Sequence, residues 1–153
     1  MSKQVHKSAS TEPVVTSPQE VEQKLMSFLT TQRQPIIVII GPTASGKTAY
    51  SIDLSHRLRS RNILPEVINA DSRQFYRGFD IGTAKITQKE MEWIPHHLLD
   101  VLDPTDTVTI AWFIREASAC INAVHARGGI PIIVGGSMLY VSALIDGYQP
   151  LPG

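Results

Sequence analysis

The chain has 153 residues, 42% of them hydrophobic and 18% charged, which is enough for one domain with a sizeable core and excludes a disordered composition. Fourteen basic residues balance fourteen acidic ones, which excludes attachment to nucleic acid by overall charge; any RNA contact must come from a local patch. A single cysteine, Cys120, excludes a disulfide framework and a cysteine-based zinc cluster and fits a reducing compartment.

Residues 1–16 are polar and read as a disordered tail. They lack the apolar core of a signal peptide, and Glu12, Glu20 and Glu22 argue against a transit peptide, so a cytoplasmic protein is expected. No apolar run reaches the roughly 18 residues of a membrane span. Ser17-Pro18-Gln19-Glu20 reads as a helix start with a capping box, and Val21, Leu25, Phe28 and Leu29 follow at helical spacing. Residues 17–34 are therefore expected to form a short helix docked on the domain.

Residues 36–150 carry the core. Ile36 to Ile40 is an unbroken β-branched run, the pattern of a strand buried on both faces. A Gly-rich turn follows, then a helix over Lys47 to Ser60 with Ile52 and Leu58 inward. Val67 to Ala70 reads as a second strand, Thr87 to Trp93 as a short capped helix, and Leu98 to Leu102 as a third strand. Ile110, Phe113, Ile114, Ala117, Ile121 and Val124 mark a long amphipathic helix that Gly128 is placed to stop. Ile130 to Val134 is another strand, closed by Gly135-Gly136, and Met138 to Ile145 a final helix. Alternating strands and helices give an α/β class with a parallel sheet flanked by helices.

Gly41-Pro42-Thr43-Ala44-Ser45-Gly46-Lys47-Thr48 matches G-x-x-x-x-G-K-[ST] in full. Gly41 and Gly46 permit backbone angles and close approach that a side chain would block. The loop N–H groups then converge on phosphate oxygens at the positive end of the following helix. Lys47 adds a point charge for the terminal phosphates, and Thr48 offers a hydroxyl to Mg²⁺. The motif leaves the ligand open: a nucleoside triphosphate or the diphosphate of another substrate.

Asp71-Ser72 follows the second strand, at the strand end where open parallel sheets bind ligands. An Asp there can hold Mg²⁺ through water or accept a proton from a nucleophile; capping a turn is its bland alternative. Ser72 and Gln74 add polar groups for a base edge or a phosphate. Arg73, Arg77 and Lys85 interleave with Phe75 and Tyr76, a mixture suited to single-stranded RNA and equally compatible with a solvated loop.

Taken together, these segments resemble the tRNA dimethylallyltransferases. The phosphate loop is similar to theirs, Asp71 to Lys85 resembles their second signature, Pro95-His96-His97-Leu98-Leu99-Asp100 the third, and Ile132 to Tyr140 the fourth. The resemblance implies a P-loop core and transfer of a dimethylallyl group from dimethylallyl diphosphate to the exocyclic amine of an adenosine beside the tRNA anticodon. It implies Asp71 as general base, Lys47 and Mg²⁺ on the leaving diphosphate, Thr48 on the metal, and Ser72, Arg73 and Gln74 against the target adenosine. Ser137 stands where the family usually has Thr and keeps its hydroxyl for substrate. Phe75 replaces an aliphatic residue, and Ile86 a proline. Family members continue for about as many residues again, with a helical insertion that grips the anticodon arm. A partial core, acting as a monomer with weak or no turnover, is the expectation for this chain.

His96-His97 is read as structural or substrate-adjacent rather than a metal pair, because adjacent residues point apart. His56 and His125 are expected on the surface, Cys120 in packing, and Asp100, Asp103 and Asp106 in turn and cap chemistry around Pro104, with Asp100 a candidate for the metal's vicinity. A nucleotide or small-molecule kinase shares the phosphate loop but needs an arginine-bearing lid that the sequence does not show. A non-catalytic nucleotide-binding module is the third reading.

Overall fold

The computed structural model describes residues 17–41, 46–78, 86–136 and 138–148. The chain divides between Arg33 and Gln34 into two compact units. The first contains helix α1, Pro18–Thr31, whose start is fixed by the Ser17 hydroxyl accepting from the Glu20 N–H at 3.2 Å.

In the second unit four parallel strands form one sheet: β1 (Ile37–Ile40), β2 (Pro65–Asn69), β3 (His96–His97) and β4 (Ile130–Gly135), in the order β1-β4-β2-β3. Helices α2 (Lys47–Arg59), α3 (Gln88–Met91), α4 (Ile110–Ala126) and α5 (Met138–Gly147) connect or follow them. Side chains alternate between the two sheet faces. Val67, Asn69 and Val134 face the start of α2. Ile68, Ala70 and Ile133 pack on Phe113, Ala117 and Ile121 of α4 and on Val141 and Leu144 of α5. This is the P-loop type of architecture expected from the sequence, with the strand ends Gly41, Gly136 and Asp71 at one edge.

Local signals account for the element ends. Gly46, at φ 81°, takes the left-handed conformation that opens α2. Thr87 and Glu90 close a complete capping box on α3. At the end of α4, Gly128 has φ 75°, its N–H reaches the His125 carbonyl, and the Gly129 N–H reaches Val124, which is the Schellman arrangement.

Three expectations need correction. Leu98 to Leu102 is not a strand. Leu98 and Asp100 have positive φ (61° and 53°), and the segment instead wraps the 3₁₀ turn Ser72–Phe75. Val101 and Leu102 both donate to the Phe75 carbonyl at 2.8 and 2.9 Å, and Asp100 donates to Gln74 at 3.1 Å. The third strand is His96–His97, one step earlier. Second, β1 is not buried on both faces. Val38 and Ile40 are 37% and 40% exposed, because β1 is the edge strand and α4 and α5 cover its neighbours. Third, His125 is half-buried, with Nε2 2.9 Å from the Pro35 carbonyl.

Below the sheet, Glu66 of β2 joins three elements. It accepts from Arg127 at 2.7 and 3.0 Å, and its Oε1 lies 2.8 Å from His97 Nε2. Burial alone would raise the Glu66 pKa; the hydrogen bonds and charges of Arg127 and His97 outweigh it and hold the carboxyl below its ordinary value of 4.5.

A depressed carboxyl pKa contributes stability that is complete above 4.5 and is lost as pH falls through the folded-state value. Urea unfolding between about pH 3 and pH 6 should therefore show an acid limb that Glu66→Gln flattens; an unchanged limb would contradict the assignment. Phe75 is fully buried against Phe113, Trp112 and Tyr140, with ring centroids 5.4 to 6.2 Å away. Phe75→Ala should destabilise the fold by about 3–5 kcal/mol in the same assay.

Candidate functional site

Parallel pairing sets the site. β1 runs beside β4 with Ile40 level with Gly135, and β4 runs beside β2 with Val134 level with Asn69. The chain leaves all three strands at the same edge, so Gly41, Gly136 and Asp71 meet there. The Gly41 N–H donates to the Gly135 carbonyl at 3.3 Å. A methyl group on Gly136 would lie 3.7 Å from both Lys47 Nζ and Asp71 Oδ2, and 3.8 Å from the Gly41 carbonyl. An ammonium from the start of α2 and a carboxylate just past the end of β2 thus face one point.

Asp71 is buried at 7% exposure, and a carboxylate there must be compensated. Its Oδ1 accepts from the Arg73 N–H at 3.1 Å, with the Arg73 guanidinium 3.6 Å away, and its Oδ2 accepts from the Gln74 amide at 3.3 Å. The backbone of Asp71 is held separately. The Asn69 carboxamide accepts from the Asp71 N–H and donates to the Asp71 and Leu98 carbonyls, each at 3.0 Å. Sequence reasoning passed over Asn69. Its signal is a lone amide in the otherwise apolar stretch Val67 to Ala70, where a buried polar side chain requires partners.

Lys47, Thr48, Asp71 and Gln74 line one pocket together with Ser51, Asn69 and His96. Ser72 and Arg73 line a different one. Of the other expected site residues, Gly46 caps α2, while Pro42, Thr43, Ala44, Ser45 and Ser137 lie outside the described residues, as does Lys85. The Thr48 hydroxyl and the Asp71 carboxylate are hard oxygen donors, the type Mg²⁺ takes. Among the described residues no three His, Cys, Asp or Glu side chains gather as a metal cluster.

The two adjacent histidines serve different partners. His97 belongs to the Glu66 cluster. His96 turns Nδ1 to the Ile94 carbonyl at 2.7 Å and buries Nε2 without a hydrogen-bond partner among the described residues. Burial pushes its pKa below the ordinary value, the Ile94 contact opposing this only in part. Cys120 packs partly buried against the core, where burial raises its thiol pKa. No helix among the described residues is long and apolar enough to cross a membrane.

Comparison with known proteins agrees with this geometry. The family described as IPP transferase matches residues 74–153, just over half of the chain. A tRNA dimethylallyltransferase of Kineococcus radiotolerans is 52% identical over 113 residues, covering 73% of this chain and 36% of the relative. One of Exiguobacterium sibiricum is 50% identical over 117 residues, 76% of this chain and 36% of its own. The crystal structure of a full-length tRNA isopentenylpyrophosphate transferase from Bacillus halodurans superposes with a TM-score of 0.69 at 46% identity, over 78% of this chain and 38% of that one. A eukaryotic dimethylallyltransferase described as acting on tRNA superposes with a TM-score of 0.65 at 38% identity, over 71% and 26%. The chain spans little more than a third of the length of these curated relatives. On the family match, the shared sequence and the shared fold, it belongs to the IPP transferase family.

Proposed function

We propose that this chain carries the donor site and general base of a tRNA dimethylallyltransferase. The observation that supports this most is the approach of the Lys47 ammonium and the Asp71 carboxylate to one point beside Gly136. A phosphate loop alone would suit many ligands. A carboxylate facing it suits a reaction in which a nucleophile loses a proton while a phosphate ester leaves.

The N6 amine of an adenosine beside the tRNA anticodon attacks the first carbon of the dimethylallyl group. The carbon–oxygen bond to diphosphate breaks, and its electron pair leaves with the diphosphate. The amine proton passes to the Asp71 carboxylate. Lys47 and the loop amides hold the departing charge. Mg²⁺, when bound at the Thr48 hydroxyl, would neutralise the diphosphate further. The amine must be turned out of the stacked RNA loop to reach a recessed carboxylate. Gln74 and Arg73 keep Asp71 aimed, and Ser72 stands beside it. Ser137, next to Gly136 in sequence, would add a hydroxyl for substrate.

Calorimetry with dimethylallyl diphosphate and Mg²⁺ tests the donor site. Lys47→Ala should weaken binding at least about tenfold, as loss of a charged hydrogen bond does. Thr48→Ala should remove the dependence on Mg²⁺. A preference for ATP with γ-phosphate transfer would overturn the reading in favour of a kinase. Asp71→Asn should lower transfer to an anticodon stem-loop by about 10²-fold or more and leave diphosphate affinity near wild type; equal transfer would remove Asp71 as the base. Asn69→Ala removes the partner of the Asp71 N–H and of the Leu98 carbonyl, while the Asp71 carbonyl keeps the Gln74 N–H at 3.0 Å. It should lower stability by about 2 kcal/mol or more on urea unfolding; a neutral result would show that Asn69 does not hold the turn.

A further inference from the structure

The recess that holds Lys47 and Asp71 has a mouth and a floor, and the sheet register fixes both. Asp71 follows the end of β2, and Lys47 opens α2. Val67 comes four residues before Asp71, which places it roughly 13 Å lower at about 3.3 Å per residue. His96 of β3 is level with Val67. Ser51 lies one turn below Lys47 on α2. Val67, Ser51 and His96 all line the recess, so they form its floor. Ile86, Leu99 and Val134 add apolar wall.

We propose that His96 is the floor that sets the length of the donor's hydrocarbon: one five-carbon unit is accepted and a second is refused. This rests on the prenyl-transfer reading, which puts the diphosphate at Lys47 and the reacting carbon beside Asp71. The hydrocarbon then has the apolar space beneath them.

The space has the matching size. The centre of a water-sized sphere has about 20 Å³ to move in. Taken as compact, and with the sphere's own radius of about 1.4 Å added, this is an envelope of roughly 120 Å³, the liquid volume of about four waters. One five-carbon unit fills such a space, and two do not fit.

The floor is also stiff. Val67 and Ser51 are 3% and 1% exposed and are packed from behind. The His96 backbone is held through its neighbour, the Pro95 carbonyl accepting from the Val67 N–H at 2.8 Å. The His96 ring is held through Nδ1, which donates to the Ile94 carbonyl at 2.7 Å, since a carbonyl only accepts. Burial favours the neutral ring that this bond requires. Swinging the ring aside to admit a longer chain would break the bond to Ile94. Nε2 has no partner among the described residues, so His96→Phe loses one side-chain hydrogen bond and keeps the outline of the floor.

The test is calorimetry with inorganic diphosphate, dimethylallyl diphosphate and geranyl diphosphate, each with Mg²⁺. The wild-type chain should bind the dimethylallyl compound at least about tenfold more tightly than the geranyl one. His96→Ala opens the floor and should bring the two within about threefold, while His96→Phe should keep the wild-type ratio. If His96→Ala fails to fold, Val67→Ala opens the same level and takes its place. Equal binding of both prenyl compounds by the wild type, an undiminished ratio in the opened variant, or a lost ratio in His96→Phe would overturn the proposal. Inorganic diphosphate, which has no hydrocarbon, separates the two readings. If it binds as tightly as the dimethylallyl compound, the hydrocarbon does not enter the recess, and the floor proposal falls while the phosphate site stands. If none of the three binds, the prenyl-transfer reading itself falls.

Discussion

Three hydrogen bonds from one buried carboxamide hold the site together. Asn69 sits at the end of β2, takes the Asp71 N–H, and gives its own two hydrogens to the Asp71 and Leu98 carbonyls. A carboxylate in a recess is useful only if it points one way. Here its backbone is held from below, and its oxygens are held by Arg73 and Gln74. The parallel register then brings Gly41 and Gly136 to the same edge, so the phosphate loop's lysine and the carboxylate address one point. The interaction lies at the level of local structure, and its consequence is chemical.

The turn that follows Asp71 is anchored through its aromatic residue. Phe75 enters the cluster of Trp112, Phe113 and Tyr140, which ties the loop to α4 and α5. The segment after β3 completes the clamp from outside. It does so in a strained form, with Leu98 at positive φ although it is a bulky buried residue. Such strain persists where surrounding contacts over-determine it, and it tends to cluster at binding sites. The Asn69 bond to the Leu98 carbonyl is one of those contacts.

The sequence made the phosphate loop, the helix caps and the parallel α/β class legible because those signals are local. Gly46 and Gly128 report backbone angles, and Thr87 with Glu90 report a helix start, within a few residues of where they act. Asn69 was not legible, since its partner Leu98 is 29 residues away. The apolar run Leu98-Leu99 read as a strand for the same reason: its hydrophobicity serves packing around the 72–75 turn, and only the tertiary structure sets its φ angles. The partial exposure of Val38 and Ile40 depends on which strand each helix covers, a property of topology that β-branched composition does not encode. Asp71 was legible in position, as a carboxylate at a strand end, and the Gln74 and Gly136 contacts add its direction.

The most direct test of the central claim is a difference electron-density map of the chain crystallised with Mg²⁺ and a thiolo analogue of dimethylallyl diphosphate. The terminal phosphate should lie against the Lys47 ammonium and the first prenyl carbon on the Asp71 side of Gly136. Diphosphate density away from Lys47, or a prenyl carbon screened from the Asp71 carboxylate by Gln74, would contradict it.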